Sequence, residues 1–357
     1  MRRLSLLLAA VVSLAVNASA GGATAAHKVH PAAKSREGGG RIVDGVKVDS
    51  LGELPWQVEL VYYNPARGRS AAFYFHECGG ALIAPQWVMT AAHCVADPLA
   101  GADGARWKMA SLAARTAPCC VIAGALVSAD VSPPAWRAAV EMDAGHVFVK
   151  PDYIPASVTE VGTRVVKVTF ALNDIALIRL DEAAPISDAI GVLFDIERPD
   201  APPSAPEVQL AGWGAISDAD AKHGIMSYDL RVTDPPLHLF SPSECEAQTQ
   251  ARYPHAKGFP SSLLCAGPNP ADAASARGLG GHEDACHGDS GGALTRKESG
   301  SVTAVGIASW ELVCGKGSAL YTNVASFRGW IVDTIAANGG PGSPAGGLGV
   351  AGPAVRP

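Results

Sequence analysis

Three short stretches of this 357-residue chain carry side chains able to move protons and attack a carbonyl carbon. In Asp284-Ala-Cys-His-Gly-Asp-Ser-Gly-Gly292 a serine, Ser290, sits in a glycine-rich turn. Glycine lets such a turn bend sharply and aim backbone N–H groups at a developing oxyanion. Thr90-Ala-Ala-His-Cys94 supplies His93, whose imidazole can take and return a proton near neutral pH. Asn173-Asp-Ile-Ala-Leu-Ile178 places Asp174 at the head of an apolar strand. A serine hydroxyl is protonated at neutral pH and needs a base as it attacks. A carboxylate on the far side of the imidazole would set its tautomer and stabilise the imidazolium. Each fragment alone has an ordinary reading: a turn, a packed histidine, a strand cap. The three together, each with its own neighbours, point to nucleophilic acyl transfer.

The chain order is His93, Asp174, Ser290. That is the order of chymotrypsin-type proteases, not of subtilisins or α/β-hydrolases. With these motifs, the segment from about Ile42 to Asn338 resembles the trypsin/chymotrypsin family of serine endopeptidases. The resemblance implies a triad of His93, Asp174 and Ser290, with Gly288 and Ser290 N–H groups forming the oxyanion hole. It implies a zymogen cut between Arg41 and Ile42, in Gly38-Gly-Gly-Arg-Ile-Val-Asp-Gly45. The freed amine of Ile42 would then pair with Asp289, beside the nucleophile. Asp284 would lie at the base of the primary specificity pocket, where a Lys or Arg side chain of a substrate satisfies its charge. Ser309 and Trp310 would line that pocket and pair with the substrate backbone, and Ser309 would also reach Asp174. The implied disulfides are Cys78–Cys94, Cys245–Cys265 and Cys286–Cys314.

The chain departs from the trypsin pattern at Glu311, where trypsins carry Gly, at Val313, and at Ala319, which replaces another Gly of the pocket wall. These side chains would narrow the pocket mouth, or Glu311 would pair with an incoming Arg. Cys119 and Cys120 have no family counterpart. A bond between adjacent cysteines would be strained, leaving two buried thiols or bridges to another molecule. Two classes of function follow: an active endopeptidase cutting after Arg or Lys, or a catalytically weak, protease-like binding protein with an obstructed pocket. The intact motifs favour the enzyme. Its partners would be protein or peptide substrates and protein protease inhibitors.

Around these motifs, the first twenty residues read as a signal for export. Arg2 and Arg3 precede a short apolar run, Leu4 to Val16, and the small-residue site Ala18-Ser-Ala20. The run is short for a membrane span, so the expected product is secreted, with no stable membrane anchor. Residues 21–41 read as a flexible activation propeptide and 339–357 as a disordered Gly/Pro/Ala tail. The whole chain has a formal charge of −6. Residues 1–41 hold six basic side chains (Arg2, Arg3, Lys28, Lys34, Arg36, Arg41) and one acid (Glu37), so the remainder has 22 basic against 33 acidic residues, or −11. Such a surface argues against nucleic-acid binding. Ten histidines without ligand spacing call for no metal, and no cofactor is implied.

The elements that must position the chemistry read as short strands separated by Gly and Pro, expected at 56–63, 79–83, 87–90, 174–180, about Val208 to Gly214, 302–310 and 319–324. This is an all-β pattern. The resemblance sharpens it to two packed six-stranded Greek-key β-barrels with a C-terminal helix. The helix is expected over 325–338, with Phe327, Trp330, Ile331, Thr334 and Ile335 on one face and Gly339 ending it. The N-terminal barrel would span 42–190 and the C-terminal barrel and helix 191–338, joined by the Pro-rich stretch 184–206. The stretches between the triad residues are longer than in compact relatives, and the extra residues are expected in surface loops around 96–140 and 215–282.

Overall fold

The computed structural model describes residues 45–50, 52–63, 74–96, 120–123, 140–161, 164–193, 195–199, 206–234, 236–254, 258–269, 284–311, 314 and 317–339. All belong to one compact unit, Gly38–Pro357. The export signal, the propeptide, the Arg41–Ile42 bond, Cys119, Val313 and the tail beyond Gly339 lie outside the described residues, as do the side chains of Cys120 and Glu311.

The chain enters through β1 (Val46–Lys47) and then builds β2 (Gln57–Tyr63), β3 (Tyr74–Ala84), β4 (Trp87–Thr90), β5 (Cys120–Ala123) and β6 (Val140–Val149). A separate hairpin, β7 (Ser157–Val161) and β8 (Arg164–Thr169), precedes β9 (Ala176–Leu180). Strands β2–β3–β4–β9–β6–β5 close on themselves as an antiparallel barrel. Closure leaves no open sheet edge. Its wall carries Val58, Leu60, Leu82, Val88 and Ile178 on one face and Met89 and Leu177 on the other, all buried. The nearly unbroken apolar run of β9 is therefore that of a strand packed on both faces.

After β10 (Asp195–Ile196) come β11 (Glu207–Gly212), β12 (Arg231–Val232), β13 (Leu237–Leu239), β14 (Leu263–Gly267), β15 (Ala293–Glu298), β16 (Ser301–Glu311) and β17 (Ala319–Asn323). Pairing runs β11–β13–β14–β17–β16–β15 and returns to β11, a second six-stranded ring. To it β10 adds in parallel beside β16, β12 beside β11, and β1 beside β12. The short strand at the chain entrance thus belongs to the second sheet, although the strands that follow it build the first barrel.

Three α-helices occur among the described residues: α1 (Asp218–Lys222), α2 (Pro242–Arg252) and α3 (Arg328–Asn338). A 3₁₀ turn, Val324–Phe327, leads into α3, so the α-helix starts three residues later than expected. Phe327, Ile331 and Ile335 bury their side chains in the same cluster as Leu82 and Ile178, with Trp330 packed against it. The C-terminal helix is thereby seated on the first barrel's core. Helix α2 starts with a reciprocal cap: Ser241 Oγ accepts from Glu244 N–H, and Ser241 N–H donates to Glu244 Oε2 at 2.8 Å.

Of the regions expected to hold extra loop residues, 97–119, 124–139 and 270–283 lie outside the described residues. Residues 120–123 form β5, whose Val121 and Ala123 are fully buried in the first barrel. The 215–282 stretch holds β12, β13, β14 and α2. Before Asp174 the chain also forms the β7–β8 hairpin. Cys120-Val-Ile-Ala is too short and uniformly apolar to reveal its barrel partners β2 and β6 from sequence.

Candidate active site

His93 lies in a one-turn 3₁₀ helix, Ala92–Cys94, just after β4. Asp174 lies two residues before β9, which pairs with β4 through Thr90–Ala176. Adjacent strands of one barrel therefore deliver base and carboxylate to the same end. The backbone N–H of His93 donates to Asp174 Oδ1 at 2.8 Å, and His93 Nδ1 meets Oδ2 at 2.7 Å. Asn173, before Asp174, has φ of +55°, a region that Asn tolerates better than most residues. It turns the chain so that the carboxylate points inward.

Asp174 is fully buried. Burial alone would push its pKa up. The facing His93 charge, the hydrogen bonds from the His93 ring and Ser309, and the His93 backbone N–H outweigh that, holding the carboxyl below its usual range. Ser309 Oγ donates at 2.6 Å, and Thr322 Oγ1 donates to the Asp174 carbonyl at 2.8 Å. Both donors come from the second barrel. Tyr153, also buried, has its phenol pKa pushed up by burial and by the negative charge of Asp174.

Ser290 occupies the turn between Asp284 and β15, half-buried. Gly288 and Gly291 there have φ of +95° and +81°, conformations reserved in practice for glycine. A Cβ on Gly291 would overlap Thr90 Oγ1 and the Gly79 carbonyl. The first barrel holds the turn closely: Gly79 N–H donates to the Ser290 carbonyl at 2.8 Å, and Thr90 Oγ1 donates to the Gly79 carbonyl at 2.9 Å. The Cys78–Cys94 disulfide joins the residues beside Gly79 and His93, and Cys94 Sγ lies 3.8 Å from His93 Nε2. Thus the Nε2 edge of the imidazole and the serine turn both lie against the Cys78–Cys94 disulfide. Cys78, His93 and Cys94 lie within metal-ligand reach of one another, but both sulfurs are consumed in the disulfide.

Asp289, fully buried, accepts from Gly214 N–H at 2.9 Å and from Cys286 N–H at 3.0 Å. A Cβ at Gly212 or Gly214 would overlap its carboxylate, so the Gly212-Trp-Gly214 triplet is explained by close approach. Asp284 is 1 % exposed, and its Oδ1 accepts from Ala285 N–H at 2.9 Å. Ala319 is buried in one cluster with Ala285, Ala266 and Tyr321, and its backbone pairs with Glu311. Trp310 packs against Phe170 and stacks on Tyr253, with ring centroids 6.0 and 5.9 Å away. The structure thus brings His93, Asp174, Ser309 and the Ser290 turn together, with Asp289 beneath the turn.

Among the described residues three disulfides form, Cys78–Cys94, Cys245–Cys265 and Cys286–Cys314, as the resemblance implied. Sequence reading did not single out Thr322, Tyr153, Glu59 or His76. The last two carried a weak signal, a Glu inside an apolar strand and a His two residues before Cys78.

Two kinds of comparison bear on this arrangement. The family profile described as Trypsin matches residues 42–331. Among curated proteins, the chain is 29 % identical over 299 residues to human "Transmembrane protease serine 5", covering 82 % of this chain and 51 % of that protein. It is 27 % identical over 300 residues to Drosophila melanogaster "Protein masquerade", covering 84 % of this chain and 23 % of that protein. The chain spans about half the length of the first and under a quarter of the second. Among the described residues, no helix is long and apolar enough to cross a membrane. With two barrels meeting at a serine turn and the family profile running through both, this chain belongs to the trypsin family of serine proteases.

Proposed function

We propose that the protein is an active serine endopeptidase that hydrolyses peptide bonds through an acyl-enzyme. The observation that carries this reading is the fully buried Asp174 carboxylate, which holds both the ring and the backbone of His93 beside the Ser290 turn. With Nδ1–H directed at Asp174, Nε2 accepts the Ser290 proton as Oγ bonds to the scissile carbonyl carbon. The carbonyl π electrons move onto oxygen, where the N–H groups of Gly288 and Ser290 receive them. When the C–N bond breaks, the imidazolium returns the proton to the leaving amine. Water, deprotonated by the same nitrogen, then cleaves the acyl ester.

The reading extends to regulation, specificity and location. Residues 1–20 direct export and are removed, 21–41 keep the precursor inactive, and residues 339–357 form an accessory tail. Residues 42–190 and 191–338 carry the two barrels of the peptidase unit. The cut after Arg41 frees Ile42, whose amine pairs with Asp289, a buried carboxylate that accepts from the backbone N–H groups of Cys286 and Gly214. Preference for Arg or Lys rests on the burial of Asp284 six residues before Ser290. Protein substrates and protein inhibitors bind along Ser309 and Trp310.

A fluorophosphonate probe applied to protein cut after Arg41 tests the core of this proposal. Labelling should occur in the wild type, vanish in Ser290→Ala, and be far slower in uncut precursor. N-terminal sequencing of the labelled species should begin at Ile42. Equal labelling of wild type and Ser290→Ala would rule out the nucleophile, and full activity with residues 21–41 attached would rule out the zymogen step.

A further inference from the structure

The chain entrance is fastened to the second barrel by a short ladder. β1 lies antiparallel to β12, with Val46 facing Val232 and Lys47 facing Arg231, and β12 pairs on its other edge with β11 through Gly212–Arg231. Val48 N–H donates to the Leu230 carbonyl at 2.9 Å. Two paired residues are a weak hold, and like charges directly opposite on neighbouring strands repel. The two cations turn to different partners. Lys47 Nζ lies 2.8 Å from Asp229 Oδ1, a solvent-exposed pair of small worth. Arg231 reaches back instead: Nη1 donates to the Gly45 carbonyl at 3.1 Å and Nε to Ser227 Oγ at 3.3 Å. Both Gly45 and Ser227 are buried. The proposed chemistry makes no use of this fork.

From Ser227 the bonds continue to the serine turn. Ser227 Oγ donates to the Asp229 carbonyl at 2.8 Å, so its proton is committed and its lone pairs accept from the guanidinium. Ser227 N–H is shared between the carbonyls of Trp213, at 2.9 Å, and Gly214, at 3.1 Å. Gly214 N–H donates in turn to Asp289 Oδ1 at 2.9 Å. A line of bonds therefore runs from Gly45 through Arg231, Ser227 and Gly214 to the carboxylate beneath Ser290. Val48, Ala211, Trp213 and Leu230 pack along the same path as one buried apolar cluster.

Gly45 stands three residues after Ile42. Three extended residues cover at most about 10 Å, so the position of Gly45 sets where a freed Ile42 amine can go. Every residue ordered on insertion costs conformational entropy. A Gly45 already held leaves only the three residues before it to be ordered. A guanidinium suits this task because its planar fork meets two acceptors with one side chain, where an ammonium is a single point of charge.

We propose that Arg231 is a positioning residue for activation. Its fork ties the Gly45 carbonyl to Ser227 and so fixes the anchor from which the Ile42 amine reaches Asp289. The brace rests on the zymogen reading above, and it touches neither substrate nor the reacting atoms.

The test follows the Ile42 amine itself. Cyanate carbamylates an amine that is unprotonated and open to solvent, and mass spectrometry of the N-terminal peptide counts the product. In wild-type protein cut after Arg41 the amine should react slowly. Arg231→Met should react about tenfold faster, the scale of losing one hydrogen bond from a charged donor. Only a protonated amine pairs with Asp289, so the same loss should bring the alkaline midpoint of kcat down by about one pH unit. Arg231→Lys, which keeps the cation and not the fork, should fall between the two. Lys47→Met removes the neighbouring cation and its pair with Asp229, and should leave both readouts at wild-type values. Wild-type rate and midpoint in Arg231→Met overturn the brace, as does Lys47→Met shifting both as far as Arg231→Met. If Arg231→Met is not secreted, Arg231→Lys decides on the same readouts. A rapidly carbamylated Ile42 in fully active wild-type protein rejects the zymogen reading instead, and the brace with it.

Discussion

Ser309 Oγ donates to Asp174 Oδ2 at 2.6 Å, the same oxygen that meets His93 Nδ1 at 2.7 Å. Ser309 lies on β16 in the second barrel, while Asp174 leads into β9 of the first. The carboxylate that orients the candidate base is thus itself oriented from across the barrel interface. Thr322 on β17 adds a bond to the Asp174 carbonyl. Packing of the two barrels and geometry of the site are one problem.

Removing that donor should therefore slow turnover without unfolding the protein. Ser309→Ala is expected to lower kcat about tenfold, in line with ~1.5 kcal/mol for a hydrogen bond to a charged acceptor. Asp174→Asn should be far worse, about 10⁴-fold, because the amide favours the wrong imidazole tautomer. Steady-state kinetics on both variants will show the ordering. Equal effects would mean that Asp174 does not act through the His93 tautomer.

Acid stability should depend on Asp174. Its folded-state pKa lies below the unfolded value, so the folded state binds fewer protons there. Its contribution is fully present above the unfolded value, about pH 4, and fades as pH falls through the lower, folded value. Urea denaturation midpoints should decline below about pH 4 in wild type. Asp174→Asn should flatten that decline. An identical acid limb in the variant would show that other carboxylates control it.

Gly214→Ala tests the tight seat of Asp289. The added methyl would overlap the buried carboxylate that accepts from Gly214 N–H. A loss of about 1–3 kcal/mol is expected from overpacking, read as a lower unfolding midpoint. Activity should drop further than stability, because the displaced Asp289 carries the turn of Ser290. Wild-type stability and activity together would contradict the close approach.

Specificity should divide between Asp284 and Glu311. Asp284→Ser is expected to weaken cleavage after Arg and Lys much more than cleavage after small residues, since the buried carboxylate is the group that rewards a cation. Glu311→Gly should speed cleavage after Arg and Lys if Glu311 obstructs, and slow it if Glu311 binds the cation. A peptide-library profile in which the wild type shows no preference for Arg or Lys would overturn the specificity assignment while leaving the family assignment intact.

Much of the site was legible because its signals are local. Gly288 and Gly291 mark a turn that only glycine fits, and Asp174 stands before a run of buried aliphatic residues. The strand β5 was not legible, because four residues carry no period long enough to read. The cap of α2 was present as Ser241-Pro-Ser-Glu244 and could have been read, but the weakly apolar helix behind it hid the signal.

What the sequence alone determined is the chemistry available: a hydroxyl, an imidazole and a carboxylate in family order, cysteines to pair, and glycines where the backbone must turn. It could not determine which faces of the strands would be covered. Gln57 and Glu59 alternate with Val58 and Leu60, yet both are buried, Gln57 against the Ala211 carbonyl of the second barrel. Nor could it place His76, whose direction depends on one extra residue in the β2–β3 register. Side-chain alternation has a period of two, so a single bulge reverses every residue beyond it. Only the pairing of the folded strands decides on which side of the barrel wall each side chain falls.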